Sequence, residues 1–184
     1  PGAAERIHVA QNGNWRQQAP EPVALPSPDD REYALYVGSF SQRKNFSGVL
    51  AVAIRLARED GLAFTFVGAT GRILTPTPVE IPADVRDKIR FLGAVEDLDQ
   101  LGAIYRKARC LVFPSFYESS PLPPIEAMHF GCPVVASSIP AMIERCGDAA
   151  EYCDPGSVDS IVAAVRRITR DRDRAAELAA RGLS

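Results

Sequence analysis

From Tyr33 onward the chain alternates short, unbroken apolar runs with amphipathic stretches, and this constrains the fold more than any other feature of the sequence. YALYVG, LAFTFVG, IRFLG, CLVFP, CPVVAS and AAEYCD read as strands, each ended by a glycine, proline or polar residue. A strand with one wet face alternates apolar and polar residues; these do not, as expected when helices cover both faces of a parallel sheet. The stretches between them have helical spacing. NFSGVLAVAIRLARED puts Phe46, Val49, Leu50, Ala53, Ile54 and Ala57 on one face, with Asn45 expected as its cap and Gly61 as its stop. DLDQLGAIYRKA, PPIEAMHFG, PAMIERCG and DRDRAAELAARG read as further helices. So does the segment carrying Val158, Ile161, Val162, Val165 and Ile168, with Ser157 as cap. The expected fold is α/β: a Rossmann-like, doubly wound parallel sheet. Ligands of such sheets bind at the carboxyl ends of the strands, here the loops after Val37, Val67, Leu92, Pro114 and Ala136.

Composition narrows the partners. A chain of 184 residues corresponds to about one domain. Its 21 Lys plus Arg against 23 Asp plus Glu give no electrostatic reason to expect nucleic acid. No apolar run approaches the ~20 residues of a membrane span, and PGAAERIHVA lacks a signal-peptide pattern. Cys110, Cys132, Cys146 and Cys153 form no C-x-x-C pair, which argues against structural zinc or a redox motif. Cys110 and Cys132 read as buried thiols, in keeping with a cytosolic chain. Pro20, Pro22, Pro26 and Pro28 mark residues 1–30 as an interdomain linker, leaving 31–184 as the folded domain. His8 and Trp15, in that linker, carry no signal.

Two loops carry candidate chemistry. Gly38-Ser39-Phe40-Ser41-Gln42-Arg43-Lys44-Asn45 is neither G-x-G-x-x-G nor a P-loop. It places two cations directly before a helix N-terminus, whose free N–H groups and dipole already favour a phosphate or diphosphate. Two solvated side chains on a turn fit the same residues. The second loop runs from Pro114 through Glu118 to Pro123-Pro124, which suit a helix start, and on to Glu126. Glu126 either complements the helix dipole or accepts hydrogen bonds from a vicinal diol such as a ribose.

Glu118 and Glu126 also match the E-x7-E motif of retaining glycosyltransferases of the GT-B fold, the group 1 or GT4 family. YVGSFSQRKN resembles that family's V-G-[RT]-x-x-x-[RK]-K-N loop. IRFLGAVEDLDQLGAIYRKARCLVFPS, PPIEAMHFGCPVVAS, GDAAEYCDP and the early QNG resemble its other motifs in order, from about residue 10 to about residue 181. The resemblance implies the C-terminal, donor-binding half of a GT-B enzyme, with the acceptor-binding N-terminal domain outside this sequence and the isolated domain inactive. Carried over residue by residue, Arg43 and Lys44 hold the diphosphate of a UDP- or GDP-sugar. Glu126 binds the ribose, Glu118 faces the sugar hydroxyls, and backbone near Val95 meets the base. Ser120, Pro121 and Leu122 lie beside phosphate and sugar. Arg43, Lys44 and Glu118 form the catalytic set.

The resemblance further implies retaining transfer without a metal or other cofactor, since there is no D-x-D. The acceptor would be a glycan or lipid-linked glycan in bacterial cell-surface polysaccharide synthesis, with the domain in the cytoplasm or at the inner face of the membrane. Two departures stand out. Ser39 replaces an arginine of the family loop, and E-S-S-P-L-P replaces E-G-F-G-L-P, so Pro121 lacks an N–H that Ser119 and Ser120 are expected to offset. His129, Met128 and Met142 read as packing, and Tyr117 as scaffold or cleft border. A GT-B-like sugar-nucleotide epimerase and a non-catalytic nucleotide-sugar-binding module are the alternatives.

Overall fold

The computed structural model describes residues 31–68 and 80–183. The linker expected at 1–30, with His8 and Trp15, and the loop 69–79 lie outside the described residues. The apolar runs form β1 (Tyr33–Val37), β2 (Ala63–Val67), β3 (Ile89–Gly93), β4 (Ala108–Phe113), β5 (Val134–Ser137) and β6 (Ala150–Cys153). All pair in parallel, in the order β3-β2-β1-β4-β5-β6. The helical stretches form α1 (Phe46–Asp60), α2 (Leu98–Lys107), α3 (Pro123–His129), α4 (Pro140–Cys146), α5 (Val158–Arg170) and α6 (Arg172–Leu183). The doubly wound sheet is therefore as expected. Strand order reverses between β1 and β4, so the loops leaving those two neighbours flank one crevice at the carboxyl edge.

Alternate residues of each central strand feed opposite faces. Ala34, Tyr36, Phe64, Phe66, Cys110 and Val112 pack with α1 and α5; Leu35, Leu111, Phe113 and Val134 pack with α2, α3 and α4. All ten of these side chains are fully buried. α6 closes against α3 because Gly182 has no side chain: a Cβ there would stand 2.8 Å from Met128 Cγ. Outside the core, Arg166 clamps α5 to α1 through Glu59 (2.6 Å) and Asp60 (2.8 Å).

Helix ends follow local chemistry with one exception. Gly61 stops α1 in the left-handed region at φ 66°. Asp97 and Ser157 cap α2 and α5 by accepting from Gln100 N (2.8 Å) and Ser160 N (3.1 Å). Asn45 does not cap α1 with its side chain. A side-chain cap needs extended backbone, and Asn45 sits at φ 55°. Its Nδ2 instead donates to Pro155 O at 2.8 Å, tying the β1–α1 loop to the turn before α5.

The run IRFLG forms β3 as expected but is not buried on both faces. Only Ile89 of that run is buried, while Phe91 and Leu92 are exposed, because β3 is the edge strand. A 3-10 helix at Ala83–Lys88 precedes it, and α2 passes into β4 with no loop between Lys107 and Ala108. The four cysteines are buried free thiols. Burial pushes Cys132 up to about 12 and Cys146 up to about 11, far from the thiolate form at neutral pH. No helix among the described residues is long and apolar enough to cross a membrane.

Candidate functional site

The crevice begins with three strand ends held in a row. Gly38 N donates to Val67 O (3.0 Å), and Gly68 N donates to Gly93 O (2.8 Å). Gly68 lies at φ 132°, and a Cβ there would fall 1.9 Å from Gly38 O. Only glycine lets the end of β2 pass that closely beneath the β1 loop. Aromatic rings fix the loop from the other side: Phe40 stacks on Phe46 at 4.4 Å, and Phe66 on Phe91 at 4.8 Å. Tyr36 OH donates to Ser39 O at 2.7 Å. Burial first, then the Glu118 charge, raise the Tyr36 phenol well above its usual range, so it remains a donor.

On this support the two cations converge on one carboxylate. Lys44 Nζ lies 2.6 Å from Glu118 Oε1, and Arg43 Nη1 donates to Glu118 Oε2 at 3.1 Å. The lysine contact is ionic and lacks hydrogen-bond alignment. Arg43 also donates to Tyr117 O (3.0 Å), and Phe116 N donates to Arg43 O (3.0 Å). The β1–α1 and β4–α3 loops are thus stitched together by side chain and backbone. Lys44 is not a solvated turn residue: its side chain is 12 % exposed, and its ammonium sits 4.6 Å from the centroid of the Phe113 ring. Arg43 is about half exposed and fits that bland description better. Two cations on one buried carboxylate leave a local charge of +1 at a crevice mouth, next to the start of α1. That arrangement favours an anion.

Glu126 occupies the first turn of α3, which opens with Pro123 and Pro124 as expected. Its carboxylate is buried, and Tyr105 OH donates to Oε2 at 3.0 Å. Among the described residues Oε1 has no protein hydrogen bond. Complementing the helix dipole would not require a tyrosine anchor from α2. The anchor fixes the direction of the carboxylate, which is what recognition of a diol demands. Between the two glutamates Pro121 is buried, and Ser120 and Leu122 are half-buried. In the same loop Ser115 Oγ is buried without a hydrogen-bond partner. Val95, after β3, packs against the α2–α4 side of the core, and no hydrogen bond or ion pair among the described residues joins it to Arg43, Lys44 or Glu118. His129 packs edge-on against Phe130 at 5.1 Å, a scaffold position.

Three contributors escaped the sequence pattern. Phe113 read as one more strand residue, yet its ring lies beneath Lys44. Tyr105 lay in a stretch read only as a helix, yet it orients Glu126. Gly68 carried an available signal, a glycine directly after an apolar strand, that pattern reading treated as a mere stop.

Fold and crevice together define a Rossmann-like α/β domain with an anion-favouring site at its topological switch point. The profile of the family described as "Glycosyl transferases group 1" matches residues 17–183, and the chain belongs to that family. It is 37 % identical over 155 residues to the O-antigen chain mannosyltransferase B of Escherichia coli, covering 83 % of this chain and 40 % of that protein. The chain thus spans about two fifths of that relative's length. Its fold matches the C-terminal domain of a glycosyl transferase group 1 family protein, LpcC, from Francisella tularensis, with TM-score 0.67, 20 % identity, and 84 % of this chain and 85 % of that one covered. It also matches Anabaena HepE in complex with UDP, with TM-score 0.71, 17 % identity, and 85 % and 44 % covered. At those identities the likeness is one of fold alone, and the family rests on the profile match.

Proposed function

We propose that this domain binds a nucleoside-diphosphate sugar, UDP- or GDP-linked, and supplies the donor half of a retaining glycosyltransferase site. The observation that carries the reading is the convergence of Arg43 and Lys44 on Glu118 at the switch-point crevice. Breaking the anomeric bond builds negative charge on the departing diphosphate, and prepositioned cations beside a helix N-terminus stabilise that charge as it grows. These side chains do so without a metal. Glu126, aimed by Tyr105, accepts hydrogen bonds from the ribose hydroxyls. Glu118 serves as counter-ion to the cations in the empty site and accepts from the sugar hydroxyls when donor is bound. Backbone near Val95 meets the base, and Ser120, Pro121 and Leu122 wall the sugar side. The relationship to an O-antigen chain mannosyltransferase supports a mannosyl donor and a growing O-antigen chain as acceptor. Its proposed place of action is the cytoplasmic face of the membrane. Transfer needs an acceptor-binding domain, so this domain alone binds donor without turning it over.

Isothermal calorimetry with UDP, GDP, UDP-glucose and GDP-mannose tests this. Binding of one nucleotide pair, weakened at least tenfold by Glu126→Ala, is the expected result. Absence of nucleotide binding at millimolar concentration would refute it.

A further inference from the structure

At the opposite end of the sheet the molecule holds a second polar feature that the donor site does not use. A cavity of 270 Å³ is lined by Arg31, Arg109, Ile168, Thr169, Arg170, Arg172 and Ala175. Arg31 precedes β1, Arg109 is the second residue of β4, and the rest come from the end of α5 and the start of α6. β1 is five residues long, which separates the cavity from the donor crevice by roughly 17 Å at ~3.3 Å per residue. Four of the seven lining residues are arginines, and none is acidic.

Arg31 is the decisive residue. It is 6 % exposed, so its charge is almost wholly removed from water. One Nη donates to Gly131 O at 2.7 Å, while Nε is buried with no partner. Arg109 Nε donates to Arg31 O at 3.2 Å. Among the described residues neither guanidinium has a carboxylate within ion-pair distance, whereas Arg170 is answered by Asp60 at 2.6 Å. Desolvation lowers the Arg31 pKa, the direction expected of a buried cation without a counter-charge. Buried charges are ordinarily paired, because an unpaired one costs several kcal/mol. Arg31 lines the cavity together with three other guanidinia and has no carboxylate partner among the described residues, so an anion inside supplies the missing counter-charge. Arginine's planar donor fork suits phosphate oxygens.

We infer that this cavity is a second anion site, which takes the phosphate group of orthophosphate or of a small phosphorylated metabolite. The volume admits a phosphate with a small organic body but not a nucleotide sugar. Ile168 and Ala175 provide an apolar wall for that body.

The test is thermal unfolding and calorimetry of this domain with inorganic phosphate and with glycerol 3-phosphate, ionic strength being held constant with sodium chloride. Binding should persist in Lys44→Met, in which the donor crevice has lost a cation, so that what remains is assigned to the cavity. Arg109→Gln and Arg31→Met should bind at least tenfold more weakly. Arg31 is buried and its variant is at risk of not folding; Arg109→Gln then carries the comparison. Tighter binding of glycerol 3-phosphate assigns the site to a phosphorylated metabolite; phosphate binding as tightly or alone assigns it to the free ion. No stabilisation beyond that of chloride, stabilisation unchanged in Arg109→Gln, or stabilisation lost in Lys44→Met would overturn the inference.

Discussion

Replacing Lys44 by methionine keeps the length of the side chain and removes its charge, so it separates the cost to the fold from the cost to the ligand. In the fold, the lost contact is the 2.6 Å ion pair with Glu118, between side chains 12 % and 6 % exposed. An exposed pair is worth about 0.2–1 kcal/mol. Breaking a fully buried pair costs about 3–5 kcal/mol, because a naked charge remains. Here Arg43 stays 3.1 Å from the other carboxylate oxygen, so Glu118 is not abandoned, and the loss falls between those limits at about 1–2 kcal/mol. At about 2–4 °C per kcal/mol for a domain of this size, Tm drops by about 2–8 °C. In the complex, a charge-assisted hydrogen bond to the diphosphate is worth about 1.5–3 kcal/mol, or about 10–150-fold in Kd. Differential scanning calorimetry and isothermal calorimetry with nucleoside diphosphate read the two costs independently. Glu118→Gln supplies the counter-test: with the competing carboxylate neutralised, the bare nucleoside diphosphate binds as tightly as before or more tightly, while the sugar nucleotide loses its preference over it. A Lys44→Met protein whose Kd stays within twofold of wild type, or whose Tm collapses as after a core truncation, refutes the reasoning.

Gly68→Ala should unfold the carboxyl edge, because its methyl meets Gly38 O at 1.9 Å and its backbone sits at φ 132°. Urea denaturation should show a loss of about 3 kcal/mol or more, against about 1 kcal/mol for Gly61→Ala, where the added methyl enters open space; equal losses would remove the close-approach argument. Acid should loosen the α1–α5 clamp. Hydrogen bonds from Arg166 hold the Glu59 and Asp60 carboxyls below their ordinary range. Their contribution is therefore complete above about pH 5 and is lost as pH falls through the lowered folded values. Tm measured from about pH 6 down to about pH 3 should fall less steeply in Arg166→Gln than in wild type, and salt should shrink the difference because these groups are near the surface. Superimposable profiles would show that the clamp contributes nothing.

The sheet was legible because burial on both faces writes itself as unbroken apolar runs, and Gly61 and Ser157 act through chemistry local to their own helices. β3 formed where expected, but its exposure was not legible in any local pattern: whether a strand is an edge depends on strand order, a property of the whole chain. Asn45 failed in the same way. Its residue type permits a cap, but its left-handed backbone and the distant Pro155 carbonyl decide its role. At the site, Arg43, Lys44, Glu118 and Glu126 were legible as charges at strand ends. Their pairing was not, since Lys44 and Glu118 are 74 positions apart and meet only because β1 and β4 are neighbours in the sheet.

That pairing changes what the E-x7-E residues can be asked to do. If Glu118 acted only on the sugar, an empty site would expose two cations to solvent and to each other, and the loops they sit on would repel. With Glu118 between them the loops are stitched shut before any ligand arrives, and the cations stand within hydrogen-bonding reach of one point. A diphosphate with more negative charge than one carboxylate can then take over the same cations with little loop movement, and the released carboxylate turns to the sugar attached to that diphosphate. On the proposed reading, exchange of one anion for another keeps the site ordered in both states, which is what electrostatic preorganisation requires. On the proposed reading the residue displaced by the leaving group is also the one that grips the group being transferred, and the Glu118 carboxylate, paired with both cations, is the candidate for that role.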